Sequence, residues 1–391
     1  MSRPARPLLH RLVAVGAGLL LALGTAPVAT AAPAAAGGPA VRAVPFPPDW
    51  QARREALAER SGVDPSPAGE VLERTRDPRD AACTDTDLDV YVDGLLTGLT
   101  PEQVQFLHNS GALDFPIYDA LLSGAEGDPR YALREHGRQL RRTFRDAQRF
   151  WDVPTGDVQL IGMHGDGVLG DAGRLTGLLT GLYGLSPAQA GPYAEYVVST
   201  VASIPALEGG NNPIFTFGAY AFTGERTSDP VLAARPDLLV IGDGVLDALR
   251  AVGIDDVGPR AVLTHEFAHH VQFEAGVFDP PPADPRPTGA EASRRVELMA
   301  DAFGTYHATH RRGLAMNAKR LLQAERTYYE FGDCSFSDPT HHGTPVQRQR
   351  ASQWGSSLAE EHRAKGRTLR SLEVAARFEH ALPGIVAPGG P

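Results

Sequence analysis

Apolar residues recur at three- and four-residue intervals over much of the chain, and this spacing predicts amphipathic helices. The predicted helices span residues 50–60, 101–109, 129–151, 187–203, 259–275, 290–312, 314–331, 347–364 and 369–381. Helices therefore dominate the prediction, most of all in the second half of the sequence.

Three shorter segments have the alternating or aromatic-rich pattern that is typical of strands. They are residues 157–163 (DVQLIGM), 213–222 (PIFTFGAYAF) and 237–241 (DLLVI). The pentamer GDGVL follows two of them, at 165–169 and at 242–246, and we interpret both copies as similar turns. Because the strands precede the main run of helices, the pattern predicts an α+β fold with a small sheet rather than a doubly wound one.

The first 31 residues have the pattern of a secretory signal peptide. Arg3, Arg6 and Arg11 lie before a short apolar run at 12–23. Ala29-Thr30-Ala31 then supplies an A-x-A cleavage signal. The run is too short to span a membrane, which takes roughly 20 apolar residues. We therefore expect cleavage near Ala31 and a secreted, extracellular protein with no integral membrane association.

The composition of the next segments suggests how the mature chain is divided. Residues 32–48 are rich in Ala, Pro and Gly without periodicity, which predicts a disordered linker. Residues 49–150 are predicted to form either an N-terminal helical subdomain or a pro-segment. Residues 151–391 carry the predicted strands and most of the helices, and are predicted to form the main domain.

The charge balance excludes one class of partner. The chain has 37 Lys and Arg against 47 Asp and Glu, and cleavage after Ala31 would take its net charge from −10 to −13. A nucleic-acid-binding protein needs a basic face to neutralise phosphates, so we expect no nucleic-acid partner.

The two cysteines fit an exported protein. An even number of cysteines in an oxidising compartment predicts one disulfide, between Cys83 and Cys334. The alternative is a pair of buried free thiols.

The candidate chemistry lies in His265-Glu266-Phe267-Ala268-His269, an H-E-x-x-H sequence within a predicted helix. Because each helical residue advances about 100°, two histidines four residues apart point to the same side and can hold one Zn²⁺. Glu266 can then act as general base toward a water molecule. Gln272 and Ala275 exclude the metzincin pattern, and His270 points about 100° away, which makes it a poor ligand.

A third ligand is expected from the next helix. Glu297 follows His269 by 28 residues, and Asp301 lies one helical turn further on the same face. In this E-x-x-x-D arrangement the glutamate completes the metal site and the aspartate orients a ligand histidine. The alternative is an ordinary solvated helix face, but the flanking Leu298 and Ala302 favour burial.

These motifs resemble those of the gluzincin metallopeptidases, and more narrowly those of the predicted bacterial neutral zinc metallopeptidases. The matching segments are HEFAHHVQ (265–272), ELMAD (297–301) and HHGTPVQR (341–348), so the resemblance covers roughly residues 240–350. It implies a zincin-like catalytic domain over 151–391, in which a small twisted sheet lies beside the active-site helix and the C-terminal lobe is mostly helical. It also implies one Zn²⁺ per chain, bound by His265, His269 and Glu297, and hydrolysis of peptide or protein substrates. The Pro-rich connection at 276–290 departs from the family pattern and is expected to form a stiff rim beside the cleft.

The same resemblance suggests a transition-state donor. Peptide hydrolysis builds an oxyanion, which a donor opposite the metal stabilises. His342 matches the family segment; His341 is the close alternative, and an ordinary loop histidine is the other interpretation. Further candidates are Tyr306, His307 and His310. We also expect Arg348 to hold this loop by pairing with a carboxylate.

Other signals are weaker. The G-x-G-x-x-G at 165–170 lacks a second βαβ unit, so we do not expect dinucleotide binding. The DTDLD at 85–89 lacks the glycine of a calcium loop and favours helix capping. Two rival functions stay open: a non-catalytic exported module that keeps zinc or binds peptide, and a zinc hydrolase acting on a cell-wall amide.

Overall fold

The structure of the protein is a computed structural model, which describes residues 46–63, 85–282, 287–334, 336, 338–363 and 367–387. All of these residues belong to one compact unit. The predicted signal peptide, most of the predicted linker and Cys83 lie outside the described residues. The signal peptide and the Cys83–Cys334 disulfide therefore remain predictions.

The described chain is mostly helical with a small mixed sheet, which confirms the α+β class. The strands are β1 (Gln159–Met163), β2 (Ala219–Phe222) and β3 (Leu238–Gly242). The helices are α1 (Trp50–Ser61), α2 (Asp87–Gly94), α3 (Pro101–Ser110), α4 (Phe115–Ser123), α5 (Gly137–Phe150), α6 (Gly165–Leu169), α7 (Ala172–Gly181), α8 (Pro187–Ser203), α9 (Asp243–Ala251), α10 (Gly258–Ala275), α11 (Gly289–Thr309), α12 (Ala318–Glu330), α13 (Pro345–Arg363) and α14 (Ser371–Val386). Short 3-10 turns lie at Pro129–Tyr131, Pro205–Gly210, Pro213–Thr216, Gly224–Arg226 and Leu232–Ala234.

The sheet has the order β1-β3-β2 and places β2 at one edge. β1 pairs in parallel with β3, with Ile161 opposite Val240, and β2 pairs antiparallel with β3, with Tyr220 opposite Val240. β3 is buried at all five positions, whereas three of the four residues of β2 are only partly buried.

Two predicted elements are shorter than expected because local side chains form turns. The helix predicted over 129–151 begins only at Gly137, since the Asp128 carboxylate accepts from the Arg130 amide and closes a separate turn at 2.9 Å. In the strand predicted over 213–222, the Asn212 side chain accepts from the Ile214 amide at 2.9 Å. This bond fixes a 3-10 turn, and only the last four residues form β2.

The two GDGVL segments start helices and are not simple turns. They follow the carboxyl ends of β1 and β3, and their acidic residues, Asp166 and Asp243, lie in the first turns of α6 and α9. Carboxylates at this position favour helix formation through the helix dipole. The Arg134 guanidinium bonds both carboxylates and so ties the two helix starts together.

Helix capping by the DTDLD segment is confirmed. Thr86 and Asp89 form a reciprocal capping box at the start of α2, and the Asp87 carboxylate pairs with Arg326 of α12 at 2.9 Å.

The hydrophobic core holds the H-E-x-x-H helix, α10, in a fixed place. Leu263, Phe267 and Val271 lie one turn apart on α10 and are fully buried. They belong to a cluster that also includes Leu298 and Phe303 of α11. Burial of three such side chains stabilises the helix position by several kcal/mol, at about 1.5–3 kcal/mol each.

The described helices bear on the expectation that the protein has no integral membrane association. Within the described residues, no helix combines the length and apolar character needed to cross a membrane.

Candidate metal centre and cleft

The site is built on two helices that approach each other closely. Gly304 of α11 faces α10, and a Cβ atom there would lie 2.5 Å from the Tyr328 hydroxyl and 3.2 Å from Thr264 Oγ1. A side chain at this position would push the helices apart. Because Gly304 lacks one, Glu297 on α11 reaches the two histidines on α10.

His265, His269 and Glu297 bring three ligand atoms together. The Nε2 atoms of His265 and His269 are 3.1 Å apart. The Glu297 carboxylate lies 3.1 Å from His265 Nε2 and 3.3 Å from His269 Nε2. These three side chains could hold a metal ion, as their spacing in the sequence predicted.

Each histidine is oriented by a partner on its other nitrogen. His265 Nδ1 lies 2.9 Å from Asp301 Oδ1, the role predicted for this aspartate. His269 Nδ1 lies 2.9 Å from Gln272 Oε1, and the Gln272 amide nitrogen donates to the Val296 carbonyl at 2.8 Å. When the rings are neutral, both Nδ1 atoms donate to these acceptors, and both Nε2 lone pairs point to the shared position.

Sequence reasoning missed the role of Gln272. In the sequence, Gln272 excludes the metzincin pattern and ends the HEFAHHVQ segment, and neither observation indicated that it orients His269. The signal was present, because Gln272 belongs to the H-H-V-Q segment and lies three residues after His269, within side-chain reach on a helix.

Arg348 supports the same network from α13. Its guanidinium binds the buried Asp301 carboxylate through two bonds, Nε to Oδ2 at 2.8 Å and Nη2 to Oδ1 at 2.7 Å. A third bond runs from Nη1 to the Phe331 carbonyl at 3.0 Å. The expected carboxylate partner is thus Asp301, so Arg348 fixes the residue that orients His265.

The electrostatics of the group favour a bound cation. Burial lowers the pKa of His265, but hydrogen bonds with Asp301 and Glu297 outweigh it and raise the pKa to about 9. Burial also opposes ionisation of Glu297, yet the neighbouring His269 and the hydrogen bond with His265 hold its pKa well below the ordinary value. The two imidazole nitrogens and the carboxylate thus all face one position, and together they favour a positive charge there.

Glu266 is adjacent to this group and differs from Glu297 in its environment. It is 6% exposed and lines the cleft. Burial is the main cause that raises the pKa of Glu266. A carboxylate with a raised pKa is a better proton acceptor near neutral pH.

The structure separates the histidine alternatives. His342 lines the cleft, and its backbone amide donates to Asp333 Oδ2 at 2.6 Å. His341 points away from the cleft: it is 1% exposed, and its Nδ1 lies 2.5 Å from Asp333 Oδ1. One carboxylate thus holds both neighbours, which is a role for Asp333 that no motif in the sequence indicated.

Gly343 explains how this loop fits against α11. It has a φ of +104°, which favours glycine. A Cβ atom there would lie 3.0 Å from Leu298. The H-G-T segment therefore places His342 beside the metal ligands through a close backbone approach.

The other donor candidates on α11 and just beyond it do not reach the cleft. Tyr306, His307 and His310 are each at most 1% exposed and are not among the lining residues. The Tyr306 hydroxyl instead accepts from the Leu369 amide at 2.9 Å. The expectation that one of them is the transition-state donor is wrong, because all three side chains point from α11 and its end into the core.

The metal ligands open into a cleft of about 500 Å³. Strand β2 forms one wall. Phe278, Asp279 and Pro280, from the Pro-rich connection, form part of the rim, as predicted for this segment. The N-terminal segment, residues 49–150, also contributes to the lining, for example with Val63 and Leu88.

The site is thus a group of three side chains that could hold a metal ion, beside the buried Glu266 carboxylate, in a cleft that is also lined by an edge strand. Comparisons of the chain with protein-family models, with curated proteins and with solved structures found no match. The function must therefore be argued from the side chains and their geometry.

Proposed function

We propose that the protein is an exported zinc-dependent metallopeptidase of the gluzincin type with a zincin-like fold. The observation that carries the proposal is the convergence of His265, His269 and Glu297 next to Glu266 in a cleft. A structural zinc site is normally closed by four protein ligands, whereas three ligands and a neighbouring base are typical of a catalytic site.

The donor set fits zinc. Ligand atoms about 2.0–2.1 Å from a tetrahedral zinc ion are separated by about 3.3–3.4 Å, close to the 3.1–3.3 Å found between these three side chains. Two imidazole nitrogens and a carboxylate oxygen are also a combination that zinc prefers. When bound, zinc would supply Lewis acidity that activates water and polarises a peptide carbonyl.

The residues of the chain supply the remaining chemistry. Glu266 accepts a proton from the attacking water and later delivers it to the leaving amine. His342 donates a hydrogen bond to the oxyanion that develops at the carbonyl oxygen of the scissile peptide. Asp301 and Gln272 hold the two imidazoles in the orientation that directs Nε2 into the cleft.

The edge position of β2 supports an extended peptide as substrate. Residues 217–223 line the cleft, and β2 has a paired neighbour on only one side among the described strands. A peptide that pairs with this free edge would gain main-chain hydrogen bonds that are independent of its sequence. It would lie across the metal ligands in a defined direction.

The test compares wild type with Glu266→Gln on a peptide library, together with zinc analysis of both proteins. The variant keeps the shape of the side chain and loses the base, so we expect normal zinc content and activity reduced by about 10²–10⁴-fold. Glu195→Gln, at an exposed position of α8, is the control.

Each rival function gives a different result. Stoichiometric zinc without cleavage of any peptide would indicate a non-catalytic module, and release of product from cell-wall fragments alone would indicate an amide hydrolase. A protein without zinc would refute the proposal.

Export is tested separately. We expect the secreted protein to begin near Ala32 and to contain a Cys83–Cys334 disulfide. Mass mapping under non-reducing conditions checks both, and two free thiols in the secreted protein would contradict the disulfide prediction.

A further inference from the structure

A second group of ligand-type side chains lies on another face of helix α10. Asp237, the residue before β3, lies close to His270 and Glu274, and one ligand atom from each lies within 4.8 Å of the other two. Asp237 and His270 are buried, and Glu274 is partly buried. None of the three is among the residues that line the cleft, so this group is separate from the site described above.

The hydrogen bonding of His270 determines which of its ring nitrogens faces a carboxylate. His270 Nε2 lies 3.0 Å from the Pro154 carbonyl, which can only accept, so Nε2 carries the hydrogen. In a neutral ring Nδ1 then has a lone pair, and it lies 3.2 Å from Asp237 Oδ2, another acceptor.

The distance itself resembles that between metal ligands. A direct bond from an imidazolium to a carboxylate is usually about 2.7–2.9 Å long. The separation of 3.2 Å between His270 Nδ1 and Asp237 Oδ2 instead equals the ligand separations of 3.1–3.3 Å between His265, His269 and Glu297.

The surrounding charge also favours a cation. The carboxylates of Asp157 and Asp237 lie close enough to Glu274 to repel its negative charge. Among the described residues, no arginine or lysine forms an ion pair with Asp157, Asp237 or Glu274. Negative charge therefore accumulates beside His270 with little compensation.

We propose that Asp237, His270 and Glu274 form a second site for a divalent transition-metal ion such as Zn²⁺. One imidazole nitrogen with two carboxylate oxygens is a mixed donor set that suits Zn²⁺ better than Ca²⁺, which takes oxygen ligands. The ion would tie α10 to the start of β3. Three protein ligands leave a fourth position to water, as in the cleft site. Because this group lies outside the cleft, the ion would support the helix that carries the H-E-x-x-H residues rather than take part in hydrolysis.

The experiment measures Zn²⁺ bound per chain after equilibrium dialysis of the full secreted protein. We expect two ions in wild type and one in His269→Ala, which removes a ligand of the cleft site. We also expect one ion in Glu274→Gln, where a partly exposed ligand is changed at little risk to folding. Glu195→Gln is the control and should keep both ions.

The ion that remains in each single variant distinguishes the two sites. In His269→Ala the remaining Zn²⁺ should still raise the melting temperature, and adding Glu274→Gln should abolish both the binding and the shift. A wild type that binds one ion, lost on His269→Ala and kept on Glu274→Gln, would overturn the proposal and leave His270 and Asp237 as an ordinary ion pair. If the cleft site fails to bind zinc, one ion that is lost in Glu274→Gln would still support the second site.

Discussion

A buried histidine on α11 should make the stability of the protein depend on pH. His307 is 1% exposed, and neither of its ring nitrogens has a hydrogen-bond partner among the described residues. Its ring packs against Phe150, with centroids 4.8 Å apart. Burial, and to a smaller extent the neighbouring His310, lowers the pKa of His307 from its ordinary 6.5 to about 3.

The sign and size of the effect follow from these two pKa values. The unfolded chain binds a proton at His307 below about pH 6.5, whereas the folded protein binds it only near pH 3. The free energy of unfolding is therefore highest above pH 6.5 and falls as the pH decreases toward 3. At pH 5 the loss from this group is about 2 kcal/mol relative to pH 8.

The assay is urea unfolding of wild type and His307→Leu at pH 8 and at pH 5. Leucine has a similar size and no titrating group, so the decrease in stability between the two pH values should be about 2 kcal/mol smaller in the variant. Other titrating groups are common to both proteins and cancel in this comparison. His380→Leu, at an exposed position, is the control for loss of an imidazole. Equal pH dependence in wild type and His307→Leu would refute the reasoning.

Three further predictions concern the site and its support. Arg348→Met should weaken zinc binding by about 10–100-fold in a chelator competition, because Asp301 loses its anchor, and Arg348→Lys should restore part of it; unchanged affinity would contradict this role. Asp333→Asn should lower kcat by up to about 10²-fold with zinc content unchanged, since an amide has only one acceptor oxygen for His341 and His342; a normal kcat would contradict the role of Asp333 in placing His342. Trp50→Ala should lower the free energy of urea unfolding by about 3–5 kcal/mol, because Trp50 is 4% exposed; a change below about 1 kcal/mol would contradict its place in the core.

The three side chains that could hold a metal ion were predicted from the sequence because their signals are local. His265 and His269 are one helical turn apart, and Glu297 and Asp301 repeat that spacing on the next helix. The helix boundaries of α10 and α11 were predicted to within a few residues for the same reason. A period of 3.6 residues both defines a helix and puts such pairs on one face.

Residues that act across the fold had no such signal. Arg348 reaches Asp301 over 47 residues, and the choice between His341 and His342 depends on which side of the loop faces the cleft. That choice is made by Asp333, which binds both, and by the positive φ of Gly343. Neither the partner of a carboxylate nor the direction of a loop follows from residue spacing.

The N-terminal segment shows the same limit at the scale of a domain. Its helices have ordinary amphipathic patterns, which left the choice between a subdomain and a pro-segment open. In the fold, the Trp50 ring stacks on Tyr183 with centroids 5.0 Å apart. The Leu88 amide donates to the Glu330 carboxylate at 3.1 Å, and Val63 and Leu88 line the cleft itself. Removal of residues 49–150 would therefore expose the core and take away a wall of the cleft, so we expect any activating cleavage to fall before Trp50.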